Sequence, residues 1–141
     1  MGDRAVITTS TKRSIQNSTD IGVYLHWNGD LFSVTAFLTY CKRRNYRPPE
    51  VDNYGWARLC QVIGNYFGGG LSLGIGKCNQ LDCNNYDNGT YIIKNWKIID
   101  RRYKPYVDDP VWSEDELEAM IAEIDSRQPQ GCRLCDNTRI L

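Results

Sequence analysis

Alternating apolar and polar positions near the start of the chain predict two β-strands. The segment RAVITTST, residues 4–11, is rich in β-branched residues, and IGVYLHW, residues 21–27, alternates with the period of two that strands have. Asn28 and Gly29 follow the second segment, and both residue types tolerate the positive φ that a tight turn needs. The polar stretch KRSIQNSTD, residues 12–20, lies between the two strands, and we expect the strands to form an antiparallel hairpin.

Three later segments carry apolar residues at the spacing of an α-helix. The first follows Asp30, which is a good N-cap residue. The second follows Asp52, and the glycines at 68–70 end it. The third opens on a capping box formed by Ser113 and Glu116. The apolar stripes of the three helices are Leu31, Val34, Phe37, Leu38 and Cys41; Trp56, Leu59, Cys60, Ile63 and Phe67; and Leu117, Met120, Ile121 and Ile124.

The remaining β-type segments complete the expected fold. LSLGIG, residues 71–76, predicts a short strand, and TYIIKNWKIIDRRY, residues 90–103, predicts one bent strand or a hairpin that turns at Lys94 and Asn95. We predict an α+β fold, an antiparallel sheet with two central helices packed on one face and a C-terminal helix. The α+β core domain is expected to comprise residues 1–107, and the C-terminal helix with a mobile tail residues 108–141.

The charge balance argues against duplex nucleic acid as a partner. Lys and Arg together number 17, as do Asp and Glu, so the formal net charge is zero. A protein that binds duplexes normally needs a basic excess to neutralise phosphates. No apolar run approaches the roughly 20 residues of a membrane span, so we expect a cytoplasmic protein without a membrane partner. In that compartment the six cysteines are expected to stay reduced.

Aromatic, amide and charged side chains at predicted turns and on one helix face are the candidate ligand-binding groups. Three surround the turn that ends the second strand, two close the Asx-rich loop before residue 90, and three lie on the polar stripe of the second helix. Turns are where binding groups concentrate, and aromatic and Arg residues are enriched in binding sites. The candidates are His26, Trp27, Asn28, Tyr54, Arg58, Asn65, Asp87 and Asn88.

Strand alternation assigns His26 and Trp27 to opposite faces of the sheet. Tryptophan has the larger gain from burial, so we predict that Trp27 packs in the core against the second helix, on the stripe that begins at Trp56. His26, the only histidine, is then expected on the other face, near the open edge of the sheet or a pocket rim. It is either a half-buried strand residue or part of a site, and both interpretations stay open.

Two cysteine pairs raise the question of a metal. Four thiolates at Cys78, Cys83, Cys132 and Cys135 could hold zinc tetrahedrally. Only the second pair has the usual CxxC spacing, which is a weak signal by itself, so zinc is the lesser expectation. The Asx-rich loop 82–89 fails the register of an EF-hand. We therefore expect neither a metal nor a cofactor.

Several stretches resemble small uncharacterised proteins that are common in phages and other mobile elements. The stretches are MGDRAVI, GVYLHWNGD, DNYGWARLCQVIGNYFGGGLS and DNGTYII, and the shared features are an N-terminal Met-Gly-x-Arg strand and a Tyr-x-x-Trp-x-Gly turn. The resemblance covers residues 1–102 and contains no motif tied to a known reaction. It implies an accessory protein inside a bacterial host cell, and such proteins often block host defence.

Three functions are expected from these observations. In the first, the protein counteracts host defence by sequestering a small nucleotide-like signal, with Trp27, Tyr54 and Trp56 stacking a base and Arg58 meeting a phosphate. In the second, it is a protein–protein inhibitor of a host defence complex, as anti-CRISPR proteins are. In the third, it is a small hydrolase that uses His26, although no nucleophile–base pair is visible in the sequence. A second copy of the chain is a further candidate partner.

Overall fold

A five-stranded sheet and three α-helices organise the described part of the chain, residues 2–69 and 72–139 of a computed structural model. The elements are β1 (Ala5–Thr8), β2 (Ile21–Leu25), α1 (Leu31–Arg43), α2 (Tyr54–Tyr66), β3 (Leu73–Lys77), β4 (Thr90–Lys94), β5 (Lys97–Arg102) and α3 (Glu114–Ser126). Short 3-10 helices lie at Ile15–Asn17, Cys78–Gln80 and Leu134–Arg139. Predictions that fall on Met1, Gly70, Leu71, Ile140 and Leu141 lie outside the described residues.

The sheet has the strand order β3-β2-β1-β4-β5, with β1 at its centre. Three of its strand pairs are antiparallel, whereas β1 and β4 run parallel. The predicted α+β class is confirmed, and the sheet is mixed rather than wholly antiparallel. The parallel pair arises because the chain passes through α1, α2 and β3 before β4 enters the sheet beside β1.

The main core lies between one face of the sheet and the helices. Val23 and Leu25 of β2 point to this face and are fully buried, as are Leu59 and Ile63 of α2. This burial confirms the apolar stripe predicted for α2. Helix α3 adds Ile121 and Ile124 to the same core and packs against α1.

A second, smaller core covers the opposite face of the sheet. It contains Val6 and Ile92 from the strands together with Ile15, Cys78 and Cys83 from the connecting segments. The sequence does not predict this core, because its apolar residues are separated by long polar runs and share no period. The segments 9–20 and 78–89 therefore cover the sheet instead of extending as free loops.

Two local predictions shift by about one residue. The β4–β5 hairpin turns at Asn95 and Trp96, which both have positive φ as in a type I′ turn. Helix α2 begins after Asn53, one residue later than the Asp52 cap predicts. The Asp52 carboxylate still accepts a hydrogen bond from the Tyr54 N–H at 2.8 Å, so it satisfies one of the free amides at the helix start.

Candidate functional site

The turn after β2 exposes Trp27 instead of burying it. Strand β2 ends at Leu25, and Asn28 has a left-handed φ of 56°, so the alternation of the strand stops before Trp27. Trp27 is 48% exposed, and its ring contacts His26 edge-on with ring centroids 5.1 Å apart. The predicted packing of Trp27 against α2 is wrong because the chain leaves the sheet too early. Asn28, in the same turn, donates to the Ser33 hydroxyl at 3.2 Å.

His26 is half-buried beside Tyr24. The Tyr24 hydroxyl and His26 Nδ1 are 2.9 Å apart, and this hydrogen bond fixes the orientation of the imidazole. The His26 carbonyl accepts from the Asp3 N–H at 2.8 Å. Among the described residues, no serine, threonine or cysteine side chain is hydrogen bonded to the imidazole. The nucleophile that a hydrolase needs is therefore not in contact with this base in the described structure.

The start of the chain binds the Asx-rich loop through a set of residues that we call the N-terminal cluster: Asp3, Arg4, His26, Asp87 and Asn88. Asp87 accepts two hydrogen bonds from Arg4, one from Nε at 2.7 Å and one from the backbone N–H at 3.0 Å. Asn88 Nδ2 donates to the Asp3 carboxylate at 2.6 Å and to the Arg4 carbonyl at 3.0 Å. The structure thus brings His26 together with Asp87 and Asn88, which lie about 60 residues further along the sequence.

The charges of the N-terminal cluster act mainly on one another. The hydrogen bond from Arg4 holds the pKa of the Asp87 carboxyl below its usual value. Burial raises the pKa of Asp3, and the nearby carboxyl of Asp30 raises it further, while the bond from Asn88 opposes both. Most polar groups of the cluster already have a partner inside the protein. We therefore interpret the cluster as a clamp between the first strand and the loop, with little capacity left for a ligand.

Asn85 holds that loop in shape and is absent from the sequence-based candidates. Its side chain is fully buried, and its Oδ1 accepts hydrogen bonds from the N–H groups of Asp87, Asn88 and Gly89 at 2.9–3.1 Å. Its Nδ2 donates to the carbonyls of Asp82 and Gly89, both at 3.0 Å. One amide therefore positions Asp87 and Asn88. The run of Asn and Asp at 82–88 signals such a loop, but it does not show which member is the buried one.

The other candidate residues lie on a separate surface, where three guanidinium groups alternate with two tyrosine rings. Arg47 and Arg58 lie over Tyr54, with Cζ 5.4 and 5.9 Å from the ring centroid. Arg58 and Arg44 lie over Tyr46, at 6.0 and 5.4 Å. We call this series, in the order Arg47, Tyr54, Arg58, Tyr46 and Arg44, the arginine–tyrosine ladder. Each contact is within the range of a cation–π interaction.

The segment between α1 and α2 builds the ladder. Asn45 has a φ of 62° and ends α1 in a Schellman arrangement, in which the Tyr46 N–H donates to the Cys41 carbonyl. The Trp96 indole N–H donates to the Tyr46 carbonyl at 2.8 Å and holds this residue in place. Gly55 lets the start of α2 approach the diproline turn, because a Cβ on Gly55 would lie 2.5 Å from the Pro49 nitrogen.

Charge and exposure distinguish the ladder from the N-terminal cluster. Arg47 pairs with Asp52 at 3.3 Å, whereas Arg58 has no carboxylate within salt-bridge distance among the described residues and bonds only the Gln61 side chain. Tyr54 is 57% exposed. Within the described residues, the ladder therefore offers one guanidinium group without a carboxylate partner and an exposed tyrosine side chain. The sequence predicts Tyr54 and Arg58 but not Arg44, Tyr46 or Arg47, although RRNYR carries the signal of alternating cations and an aromatic.

The side chain of Asn65, the last candidate on α2, is hydrogen bonded to another side chain of the protein. Its Nδ2 donates to Gln128 Oε1 at 3.0 Å, and Gln128 in turn donates to the carbonyls of Val62 and Ile124. Asn65 also lines a cavity of about 80 Å³ beside Tyr46. That volume is well below the roughly 300 Å³ of an ordinary ligand pocket. The ladder is thus an open surface rather than an enclosed site.

The four cysteines considered for zinc do not form one site. Cys78 and Cys83 are buried in the second core, whereas Cys132 and Cys135 are exposed near the end of α3. Within residues 2–69 and 72–139, no group of three or more His, Cys, Asp or Glu side chains is placed to hold a metal ion. The Cys78 Sγ instead donates to the Thr8 hydroxyl at 3.3 Å.

Comparison with known proteins adds no relative. No family model matches the chain, and neither a curated protein nor a solved structure matches it. No helix in the described part of the chain combines the length and the apolar character that crossing a bilayer requires.

Proposed function

We propose that the chain binds a small nucleotide-like anion on the arginine–tyrosine ladder. The observation that carries this proposal is the pairing of Arg58, which has no carboxylate partner among the described residues, with the exposed Tyr54 ring. A guanidinium group presents N–H donors in the geometry that phosphate oxygens accept. A tyrosine ring offers a stacking surface to a base of any identity.

The electrostatics of the ladder favour an anion over a neutral ligand. Among the described residues, Arg47 has one carboxylate partner, Asp52, and Arg58 has none within salt-bridge distance. A bound phosphate would add charge-assisted hydrogen bonds to Arg58, whose guanidinium group contacts two tyrosine rings and the Gln61 side chain. Neighbouring Tyr54 lies at the helix N-terminus, where the dipole of α2 also favours negative charge.

The biological role in this proposal is the sequestration of a nucleotide signal. The support is the resemblance of residues 1–102 to small phage and mobile-element proteins, which act inside a bacterial host cell and often counteract its defence. Sequestration requires binding groups and no reaction, and the ladder supplies such groups.

Thermal-shift titration tests the proposal. Adenosine 5′-monophosphate, a cyclic mononucleotide and a cyclic dinucleotide serve as anionic probes, and adenosine serves as the uncharged comparison. We expect a saturable rise in Tm with at least one of the three anions and a much smaller rise with adenosine, because a ligand that binds only the folded state stabilises it by mass action. Absence of any shift at millimolar concentrations of all three anions would contradict the proposal.

Variants of the ladder identify the site of binding. Arg58→Gln is expected to abolish the nucleotide-dependent shift, whereas Arg13→Gln, a change of an exposed arginine far from the ladder in the sequence, keeps it. Tyr54→Phe is expected to retain binding, and Tyr54→Ala to weaken it by roughly tenfold, because stacking on one ring contributes about 1–3 kcal/mol. Equal effects of Arg58→Gln and Arg13→Gln would locate binding elsewhere.

A cleft of exposed tyrosines favours a protein partner as a second candidate function. Tyr86, Tyr103 and Tyr106 surround a cavity of about 320 Å³ together with Lys104, and Tyr86 is 84% exposed. Tyrosine is a common anchor of protein interfaces. We expect pull-down from a bacterial lysate to recover one stoichiometric partner, which the double variant Tyr86→Ala/Tyr106→Ala fails to capture and Arg58→Gln still captures. Recovery that is unchanged by the double variant would reject this surface.

A further inference from the structure

A cavity of about 420 Å³ lies between α1, the β4–β5 hairpin and the linker to α3. It is separate from both the N-terminal cluster and the arginine–tyrosine ladder, with which it shares no lining residue. Its walls are Leu31, Thr35 and Leu38 from α1, Trp96 and Ile98 from the hairpin, and Trp112 from the linker. This volume lies within the range of roughly 300–1,000 Å³ that small-molecule pockets have.

Two tryptophans define the shape of this cavity. Trp96 is almost fully buried, and its indole N–H is already bound to the Tyr46 carbonyl, so its ring forms a fixed apolar wall. Trp112 is half-buried and packs edge-on against Phe32, with ring centroids 5.2 Å apart. Its indole N–H donates to no group among the described residues. A planar apolar group would therefore find one fixed wall and one wall that carries an available donor.

The polar groups at this cavity are few and favour an anion. Lys97 is the only charged residue among its lining residues, and it has neither a salt bridge nor a side-chain hydrogen bond within the described structure. The Thr39 hydroxyl donates to the Thr35 carbonyl at 2.7 Å, which leaves the Thr35 hydroxyl as a further polar group at the wall. An apolar pocket with one cation near its wall is complementary to an apolar molecule that carries one negative charge.

We propose that this cavity binds a small aromatic monocarboxylate, with its ring between Trp96 and Trp112 and its carboxylate at Lys97. The ring would replace water along apolar walls, and the carboxylate would gain a charge-assisted partner in Lys97 and a neutral donor in Trp112. The proposal is independent of nucleotide binding on the ladder.

Two-dimensional NMR of the indole N–H groups tests the proposal with 3-phenylpropionate as the probe and 3-phenylpropanol as its uncharged analogue. We expect the Trp112 indole resonance to shift saturably with 3-phenylpropionate, while the resonance of Trp27, which does not line the cavity, stays in place. Lys97→Gln is expected to weaken this binding by roughly tenfold, the lower end of the effect of a hydrogen bond to a charged group. Lys94→Gln changes an exposed lysine on the same hairpin outside the cavity and should leave the affinity unchanged.

Two further variants separate binding from folding. Thr35→Met fills the cavity and should abolish the shift for both probes. Trp112→Ala removes one wall and should weaken binding even if Thr35→Met does not fold; in this variant binding is measured by the shift of the Trp96 indole resonance. The proposal is overturned if the Trp112 resonance does not move at tens of millimolar 3-phenylpropionate. It is also overturned if 3-phenylpropanol binds as tightly, or if Lys94→Gln has the same effect as Lys97→Gln.

Discussion

Trp96 combines a backbone conformation that disfavours a large side chain with nearly complete burial. Its φ of 62° lies in the left-handed region, where a bulky residue is an outlier and where hairpin turns prefer glycine. The residue is only 3% exposed, and its indole N–H is bound to the Tyr46 carbonyl. The burial of the ring and this hydrogen bond offset the backbone strain, which is of order 1–3 kcal/mol.

We predict that Trp96→Ala and Trp27→Ala have very different effects on stability. Removal of a buried tryptophan leaves a cavity and a free carbonyl, so Trp96→Ala should lower the free energy of unfolding by about 3–5 kcal/mol. Trp27 is half-exposed and contacts mainly His26, so Trp27→Ala should cost less than about 1 kcal/mol. Urea denaturation of the two variants measures both values. Equal losses would contradict the exposed position of Trp27.

Two glycines of α2 provide a second test at the residue scale. A Cβ at Gly64 would meet only the Leu73 side chain at 4.0 Å, so Gly64→Ala should stabilise the helix by up to about 1 kcal/mol. A Cβ at Gly55 would lie 2.5–2.6 Å from backbone atoms of the diproline turn, so Gly55→Ala should destabilise the protein by about 1–3 kcal/mol. Thermal denaturation compares the two variants. A stabilising Gly55→Ala would mean that the turn can move away from the helix.

At the scale of elements, the Asx-rich loop acts as part of the second core. Its polar sequence allows it to leave the sheet, yet Cys83 is buried against the strands and Thr90 donates to the Cys83 carbonyl at 3.0 Å. Gly89 must be glycine, because its φ is 73° and a Cβ there would lie 2.2 Å from the Arg102 carbonyl oxygen. The loop is therefore held by backbone fit and by the buried amide of Asn85, in addition to its bonds with Asp3 and Arg4.

Replacement of that amide should release the loop. Asn85→Ala removes the acceptor of three backbone N–H groups and the donor to nearby carbonyls, so we expect a loss of at least about 3 kcal/mol in the free energy of unfolding. Hydrogen exchange of the N–H groups at 87–89 should accelerate more than exchange in α1. Asn84→Ala is the matched control, because the Asn84 side chain is half-exposed and makes no hydrogen bond within the described structure. Equal effects of the two changes would contradict the role of Asn85.

The helices and the central strands could be predicted from the sequence, whereas the loops that build the sites could not. The stripe from Trp56 to Ile63 repeats at 3.6 residues, and such a period determines both the element and its buried face. The ends of strands have no comparable signal. The predicted alternation therefore extended to Trp27, two residues past the end of β2. The ladder residues all lie between Arg44 and Arg58, but their contacts depend on the turn that joins α1 and α2. The 420 Å³ cavity joins residues as far apart as Leu31 and Trp112, so its assembly depends on tertiary packing.

At the scale of the whole molecule, ion pairs join parts of the chain that the sheet alone does not connect. Arg4 binds Asp87 and so ties the first strand to the Asx-rich loop. Arg43 donates to both carboxylate oxygens of Glu118, at 2.7 and 2.5 Å, and so ties α1 to α3. The guanidinium partner lowers the pKa of the carboxyl group in each pair.

These lowered pKa values give the stability a defined dependence on pH. A carboxyl group whose pKa is lower in the folded state stabilises the protein above its unfolded pKa, which is about 3.9 for Asp and about 4.3 for Glu. That contribution is lost as the pH falls through the folded pKa. The contribution of Asp3 to the pH dependence has the opposite sign. Burial raises the pKa of Asp3, so its protonation on acidification favours the folded state.

We predict that the free energy of unfolding falls as the pH decreases from about 5 to about 2, and that single variants change this slope in opposite directions. Arg4→Gln removes the cause of the low Asp87 pKa, so it should lower stability at pH 7 and flatten the slope. Asp3→Asn keeps an oxygen acceptor for Asn88 but removes the group that opposes the acid loss, so it should steepen the slope. Urea denaturation at several pH values measures both effects, with Arg13→Gln as the charge-matched control for Arg4→Gln. If Arg4→Gln and Arg13→Gln gave the same slope, the bond between Arg4 and Asp87 would not be the source of the acid sensitivity.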